Sequence, residues 1–268
     1  MLIEWLTYLT TPCPRHLRAM GYLREAVGIE SRYRRHRRAW APHLEKSHET
    51  IRKAIEMSGG GDTVVVLGAG LVYDLPMDAL SAAFKTVQLV DLVHMRPARR
   101  AARRYPNVNL VAWDVTESLE AIADGRAEIG KPERYLDDPS ISLVISANLL
   151  SQLPISPMSY LEKRGMRDEE AEEVGRALID RHIEYLSRFA VPVCLITDIE
   201  REMTALKEGD EWAYVVTALL DAELPWVGQE WFWDIAPRGE VDKTYSVKNR
   251  VVGIPDISVA EPSPPSQR

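Results

Sequence analysis

The chain has 268 residues, of which 46% are hydrophobic and 27% charged, and its formal net charge at pH 7 is −7. This length suits one large domain or one domain with a small appendage, and the composition is that of a globular protein. The net negative charge excludes a protein whose whole surface binds nucleic acid, and two cysteines are too few for a disulfide framework. No apolar run is long enough to cross a membrane and no signal peptide is recognisable, so we expect a cytoplasmic protein.

The first sixty residues are rich in helix formers and poor in strand formers, and glycines 59–61 end the helical pattern. We therefore predict an N-terminal helical cap over residues 1–61. The cap contains a local basic patch, "RYRRHRRAW", from Arg32 to Trp40. This patch is either solvated charge or a surface that recognises an anionic acceptor, because arginine forks match carboxylate and phosphate groups.

Short apolar runs then alternate with helical segments. Five strands are predicted, at "TVVVLGAG", "TVQLVD", "VNLVAWD", "ISLVISAN" and "PVCLITD", and a long helix from Glu169 to Phe189 precedes the fifth. Strands that are almost continuously apolar and are separated by helices indicate a parallel sheet covered on both faces. The predicted fold class is α/β, with a doubly wound, mostly parallel, Rossmann-like sheet in a domain spanning residues 62–255.

The last third of the chain has a different pattern. The segment "WAYVVTALLDAEL" is predicted to be helical, whereas "QEWFWDIAP" and "KTYSVKNRVVGI" alternate like two strands of a hairpin. This hairpin would add an antiparallel strand to the sheet. From Asp256 the chain is rich in proline and serine, so residues 256–268 are predicted to form a flexible tail.

Ligands of an open α/β sheet bind beyond the carboxyl ends of its strands, and the first four predicted strands end in suitable residues. Strand one ends in Gly68-Ala69-Gly70, and strands two, three and four end in Asp91, Asp114 and Asn148. The third glycine of a dinucleotide fingerprint is replaced by Tyr73. The next residue, Asp74, would repel a phosphate; it suits a ligand with an ammonium group, or it caps the next helix.

The motif set "VVVLGAG", "VQLVD", "VNLVAWDV" and "ISLVISANLLSQLP" resembles the S-adenosylmethionine-dependent methyltransferases of the Rossmann-like class. The resemblance covers about Thr63 to Asp198, and the family's final strand is antiparallel. It implies S-adenosylmethionine as cofactor. It also implies a methionine-binding loop, a ribose-binding acid, an adenine-binding acid and a segment facing the methyl group. By position, the methionine-binding loop would be Gly68, Ala69, Gly70 and Asp74. The ribose-binding acid would be Asp91, with Leu92 beside it, and the adenine-binding acid would be Asp114, with Val115 beside it. The segment facing the methyl group would be Asn148 to Pro154.

Methyl transfer from a sulfonium is an in-line displacement that needs positioning more than a nucleophilic side chain. Asn148 and Gln152, with Ser151, are the predicted acceptor-side residues, and their alternative role is to cap the next segment. His48 is a candidate base, or else a hydrogen-bonded core histidine. No metal site is expected, because the six histidines and two cysteines lack metal-ligand spacing.

The sequence thus predicts a methyltransferase acting on a small or peptide-sized polar acceptor, which is anionic if the basic patch binds it. A nucleic-acid acceptor is not expected, since an "NPPY"-type signature is absent. Two alternatives stay open. One is a nicotinamide-dependent oxidoreductase, and the other is a non-catalytic binding protein that has kept the fold. The sequence leaves the oligomeric state open.

Overall fold

Helices and strands alternate in the computed structural model, which describes residues 2–205, 212–241 and 244–263. The helices are α1 (Leu2–Thr10), α2 (Arg15–Met20), α3 (Tyr22–Ser58), α4 (Met77–Ala83), α5 (Arg96–Arg104), α6 (Leu119–Ala123), α7 (Ile155–Glu162) and α8 (Asp168–Ser187). The strands are β1 (Gly61–Leu67), β2 (Phe84–Asp91), β3 (Val108–Ala112), β4 (Ile141–Ala147), β5 (Val193–Ala205), β6 (Ala213–Thr217), β7 (Gln229–Ala236) and β8 (Tyr245–Ile254). A 3₁₀ turn, Leu150–Gln152, follows β4.

The described strands form one eight-stranded sheet in the order β3-β2-β1-β4-β5-β8-β7, with β6 paired to β5 outside this path. Strands β1 to β5 are parallel, and β8 runs antiparallel between β5 and β7. The strand order reverses between β1 and β4, so their carboxyl ends form the switch point at which α/β sheets bind ligands. This topology confirms the predicted doubly wound, mostly parallel fold with an antiparallel late strand.

The sheet is covered on both faces, as its apolar strands require. Within β1, Val64 and Val66 contribute to one core layer and Val65 and Leu67 to the other, and all four are fully buried. The first layer includes residues of α3 and α4, and the second includes residues of α8. A strand that alternates between two apolar layers has no polar face, which explains the unbroken "VVVL" run.

Helix α3 spans 37 residues and bends at His36, whose φ and ψ are −117° and 23°. It ends at Gly59, which takes the left-handed conformation (φ 71°) that favours glycine at a helix C-terminus. Helix α3 packs against β7, β5 and β4. The helical region therefore lies directly over the sheet, and β1 begins at Gly61, where the predicted cap ends.

The prediction of a helix over "WAYVVTALLDAEL" is wrong, because Ala213–Thr217 forms strand β6 and residues 218–224 form bends, a turn and irregular backbone. Strand β5 continues to Ala205, well past the predicted end at Asp198, and offers β6 an antiparallel partner from Glu200 to Thr204. Aromatic and β-branched residues in "WAYVVT" fit such an edge, so tertiary pairing overrides local helix propensity.

The predicted tail makes several contacts with the rest of the chain. Asp256 and Ile257 are buried, and the backbone N–H of Val227 donates to the carbonyl of Glu261 at 2.9 Å. Trp226 and Pro262 form an isolated antiparallel bridge. The segment up to residue 263 therefore packs against the chain, and residues 264–268 lie outside the described part.

Candidate functional site

A cleft of about 510 Å³ lies at the carboxyl edge of the sheet, around the switch point between β1 and β4. Its floor is formed by the loops that follow β1, β2, β3 and β4 and by the middle of β5. Helix α3 forms one wall through Ile29, Trp40 and His43, and β7 adds Trp233 and Ile235. The helical region thus closes over the place where an α/β sheet exposes its ligand site.

The glycine turn after β1 needs glycine at both ends. Gly68 has a φ of +87°, and a Cβ there would lie 2.7 Å from the carbonyl oxygen of Ala147. A Cβ on Gly70 would lie 2.9 Å from Oδ2 of Asp91. The two glycines therefore let the turn approach both β4 and the carboxylate at the end of β2, and they leave backbone surface open to the cleft.

Asp91 is the half-buried carboxylate at the end of β2, and its Oδ1 accepts a hydrogen bond from the backbone N–H of Val93 at 3.1 Å. Burial raises the pKa of Asp91. A ligand hydroxyl that donated to this carboxylate would replace the water that burial has removed.

Asp114 shapes its own loop. Its Oδ1 accepts hydrogen bonds from the backbone N–H and hydroxyl of Thr116, and its Oδ2 accepts from the backbone N–H groups of Ser118 and Leu119. These four donors, at 2.7–3.0 Å, fill the usual acceptor positions of a carboxylate. Asp114 therefore caps the start of α6 and holds the loop, including Val115, at the rim of the cleft.

Asn148 has a strained backbone, with a φ of +50° that is uncommon outside glycine. Its Nδ2 donates to Oδ2 of Asp74 at 2.6 Å, whereas its buried Oδ1 has no partner among the described residues. Gln152 donates from Nε2 to the Asn148 carbonyl at 2.6 Å. Strain together with an unpaired buried oxygen is typical of a functional position.

The structure brings the residues predicted to bind a cofactor to this one cleft, with one exception. Ala69 is fully buried and donates its backbone N–H to the carbonyl of Val90, so it does not line the cleft. The lining residues include Gly68, Gly70, Asp74, Asp91, Leu92, Asp114, Val115 and Asn148. Their roles toward a cofactor stay predictions. The predicted acceptor-side residue Gln152 also lines the cleft, and Ser151 lies beside it, bonded to Asp198.

His48, the candidate base, is not among the residues lining this cleft, and its Nε2 lies 3.1 Å from the carbonyl oxygen of Tyr73. The histidine that lines the cleft is His43, on the same helix. The indole N–H of Trp231 donates to His43 Nδ1 at 3.1 Å, and His43 Nε2 lies 3.4 Å from Nδ2 of Asn148. Burial lowers the pKa of His43 to about 3, and the ring stacks on Trp233 with a centroid distance of 4.0 Å.

Sequence reasoning missed Asp198, which lines the cleft from β5 and is 3% exposed. Its Oδ2 accepts a hydrogen bond from the Ser151 hydroxyl at 3.2 Å, and its buried Oδ1 has no partner among the described residues. Burial raises the pKa of Asp198 to about 6, although Arg201 and the side chains of Ser151 and Asn249 lower it. The signal was present, because Asp198 ends the predicted fifth strand as Asp91 and Asp114 end earlier ones.

Much of the basic patch on α3 is engaged with one internal carboxylate. Glu240, in the β7–β8 connection, accepts from Arg35 at 2.5 and 2.9 Å and lies 2.7 Å from His36 Nε2. Arg32 Nε lies 3.4 Å from the same carboxylate. These partners lower the pKa of Glu240 to about 2. The carboxylate therefore neutralises charge that the sequence had suggested for an anionic acceptor.

None of the described helices is both long enough and apolar enough to span a bilayer. Within the same described ranges, no group of three or more His, Cys, Asp or Glu side chains is arranged to hold a metal ion. Cys13 and Cys194 are both free thiols.

Neither a protein-family model nor a curated protein matches the chain. Solved structures similar to it include the N-methyltransferase NodS from Bradyrhizobium japonicum WM9, at 11% identity and a TM-score of 0.33, covering 78% of this chain and 94% of that one. Another is a DhpI-SAM-HEP complex, at 12% identity and a TM-score of 0.38, covering 89% of this chain and 99% of the other.

A third similar structure is the Burkholderia thailandensis 1,6-didemethyltoxoflavin-N1-methyltransferase with bound 1,6-didemethyltoxoflavin and S-adenosylhomocysteine. It is 15% identical, with a TM-score of 0.35, and the match covers 90% of this chain and 91% of that one. Identities and TM-scores this low do not place the chain in a family.

Proposed function

We propose that the chain binds S-adenosylmethionine in the cleft and transfers its methyl group to a small polar acceptor. One observation carries this proposal. The Gly68–Gly70 turn, the Asp91 carboxylate and the strained Asn148 border a single cleft, although they follow three different strands. A molecule with a nucleoside at one end and a charged amino-acid part at the other matches such a row of sites.

The residues present fit this cofactor. The backbone of Gly68 and Gly70, which borders the cleft, would lie along the methionine part, and Asp91 would accept hydrogen bonds from the ribose hydroxyls. Leu92, Val115 and Leu119 supply the apolar surface that a purine ring needs. The four internal hydrogen bonds of Asp114 indicate that it would act on the adenine chiefly by positioning its loop.

The unpaired Oδ1 of Asn148 and the carboxylate of Asp74 are acceptors, and they suit the ammonium group of the cofactor or of the acceptor. The pKa of Asp74 is raised by burial, a cost that a bound cation would reduce. The bound cofactor supplies an electrophilic methyl group on its sulfonium. The chain's task is to hold the acceptor in line with that methyl and to exclude water, which the α3 wall favours.

A nicotinamide dinucleotide fits this site less well. Its pyrophosphate needs a helix N-terminus directly after the glycine turn, but α4 begins only at Met77. The Asp74 carboxylate lies in the intervening loop and would repel a phosphate. The antiparallel β8 between β5 and β7 also departs from the 3-2-1-4-5-6 order of a dinucleotide fold.

Binding of S-adenosylhomocysteine and of NAD, measured by calorimetry and thermal unfolding, tests the proposal. We expect S-adenosylhomocysteine to raise the melting temperature, because at a hundredfold excess over Kd it should raise the free energy of unfolding by about 2.7 kcal/mol. NAD should have no effect. Asp91→Asn should weaken this binding, and the matched surface variant Asp180→Asn should not. Stabilisation by NAD alone would favour the oxidoreductase, and stabilisation by neither ligand would favour a protein without this activity.

A further inference from the structure

Most of the charged side chains that line the cleft are acidic. Asp74, Asp91, Asp114 and Asp198 all border it and are buried or half-buried, whereas the lining arginines are Arg32 and Arg201. Arg32 faces Glu240, and Arg201 Nε points to Oδ1 of Asn249 at 3.4 Å. The charge of the cleft is therefore negative, and it attracts positively charged guests.

Asp198 is the acid of this group farthest along the sheet from the predicted adenosine side. It lies on β5, beyond β4 from the β1–β2 end, and Ser151 ties it to the segment after Asn148. One of its oxygens is buried without a hydrogen-bond partner in the described ranges, as is Nδ2 of Asn249, which faces this carboxylate from β8. An unpaired buried acceptor costs free energy unless a ligand supplies the donor.

The same cleft is also lined by aromatic side chains that carry no charge. Trp40 and Trp233 meet edge to face with a centroid distance of 4.8 Å, and His43 stacks on Trp233. The lowered pKa of His43 keeps its ring neutral at physiological pH, so this histidine adds no positive charge to the cleft. A cleft that holds both aromatic rings and a carboxylate favours an alkylammonium group through cation–π attraction and a charge-assisted hydrogen bond.

We infer that the acceptor is an amine with an apolar body, held as its ammonium ion against Asp198, and that Asp198 takes the proton that the amine must lose. The inference rests on the proposed methyl transfer and names its acceptor class. An N–H proton of the ammonium passes to the Asp198 carboxylate and frees the nitrogen lone pair. That pair forms the N–CH₃ bond while the S–CH₃ bond breaks, and its electrons stay on the thioether sulfur.

The environment of Asp198 suits this role. Burial raises its pKa to about 6, which brings the carboxyl closer to the basicity of an amine than an exposed aspartate would be. The groups facing it are Arg201 on its own strand, Ser151 from the turn after β4 and Asn249 from β8. Of these only Arg201 is charged, and it keeps the carboxyl ionised near neutral pH.

Matched pairs of simple probes test the inference without knowledge of the natural acceptor. The protein is saturated with S-adenosylhomocysteine, and calorimetry measures the affinities of benzylamine and benzyl alcohol, then of hexylamine and hexanol. We expect each amine to bind about tenfold more tightly than its alcohol at pH 7.5, with the preference falling below pH 6 as Asp198 gains a proton. Asp198→Asn should abolish the preference, and Asp180→Asn should keep it.

Equal affinities within both pairs would overturn the amine assignment, as would an unchanged preference in Asp198→Asn. Folding is checked by the thermal unfolding of the variant. The two proposals fail separately. If S-adenosylhomocysteine binds but the amine preference is absent, methyl transfer stands and the acceptor class is wrong. If the amine preference exists in a protein that does not bind S-adenosylhomocysteine, the proposed function is wrong.

Discussion

Replacing Asp198 by Asn should make the protein more stable at neutral pH. The folded state raises the pKa of this carboxyl from its ordinary value of 3.8 to about 6, chiefly through burial. Between these values the folded protein binds more protons than the unfolded chain, so its stability falls as the pH rises. One pKa unit corresponds to about 1.4 kcal/mol, and the ionised carboxyl therefore costs the folded state about 3 kcal/mol at pH 7.

The amide of Asn has the shape of the carboxyl, can accept the Ser151 hydrogen bond and carries no charge. Asp198→Asn should therefore be about 3 kcal/mol more stable than wild type at pH 7, and the difference should vanish below about pH 4. Urea unfolding followed by tryptophan fluorescence from pH 4 to pH 8 measures it. Asp180→Asn, on the surface of α8, is the control and should show no such trend. A difference that does not change with pH would refute the reasoning.

Three further variants test other parts of the site. Gly70→Ala places a methyl group 2.9 Å from Asp91 Oδ2 and should weaken the affinity for S-adenosylhomocysteine at least about tenfold. The control is Gly28→Ala, whose new methyl group meets open space and should leave the affinity unchanged. Equal calorimetric affinities of the two variants would contradict this prediction. Glu240→Gln should lower stability at pH 7 by about 1–2 kcal/mol, because Arg35 is half-exposed and screened. The lowered pKa of Glu240 means that this loss fades as the pH falls from 4.5 toward 2, which acid-range denaturation would reveal. His48→Ala should leave the affinity for S-adenosylhomocysteine unchanged. A tenfold loss of affinity would show that His48 contributes to the cleft.

Much of the fold was predictable from local patterns. The central strands β1 and β4 contain almost unbroken apolar runs because both faces of the sheet are covered there. The helices between the strands leave few possible topologies. The residues that end those strands, Gly70, Asp91 and Asn148, were predictable as neighbours, because the carboxyl ends of parallel strands meet at one edge. Asp198 was predictable by the same rule applied to the fifth strand.

Other features depend on contacts between residues far apart in the chain. Residues 213–217 form a strand because β5 continues to Ala205 and offers a free edge, which no local pattern in "WAYVVT" reveals. Similarly, the basic patch looked free because Glu240 is about two hundred positions away from Arg35.

The sequence by itself determined the layered α/β architecture and the row of polar residues at its strand ends, since both follow from the periodicity of hydrophobic residues. Only the tertiary structure decided which charges stay unpaired. It neutralised Arg35, turned His43 rather than His48 into the cleft, and buried one Asp198 oxygen without a donor. The physical reason is that the energy of a charge or hydrogen-bonding group depends on its neighbours and its access to water, and folding sets both.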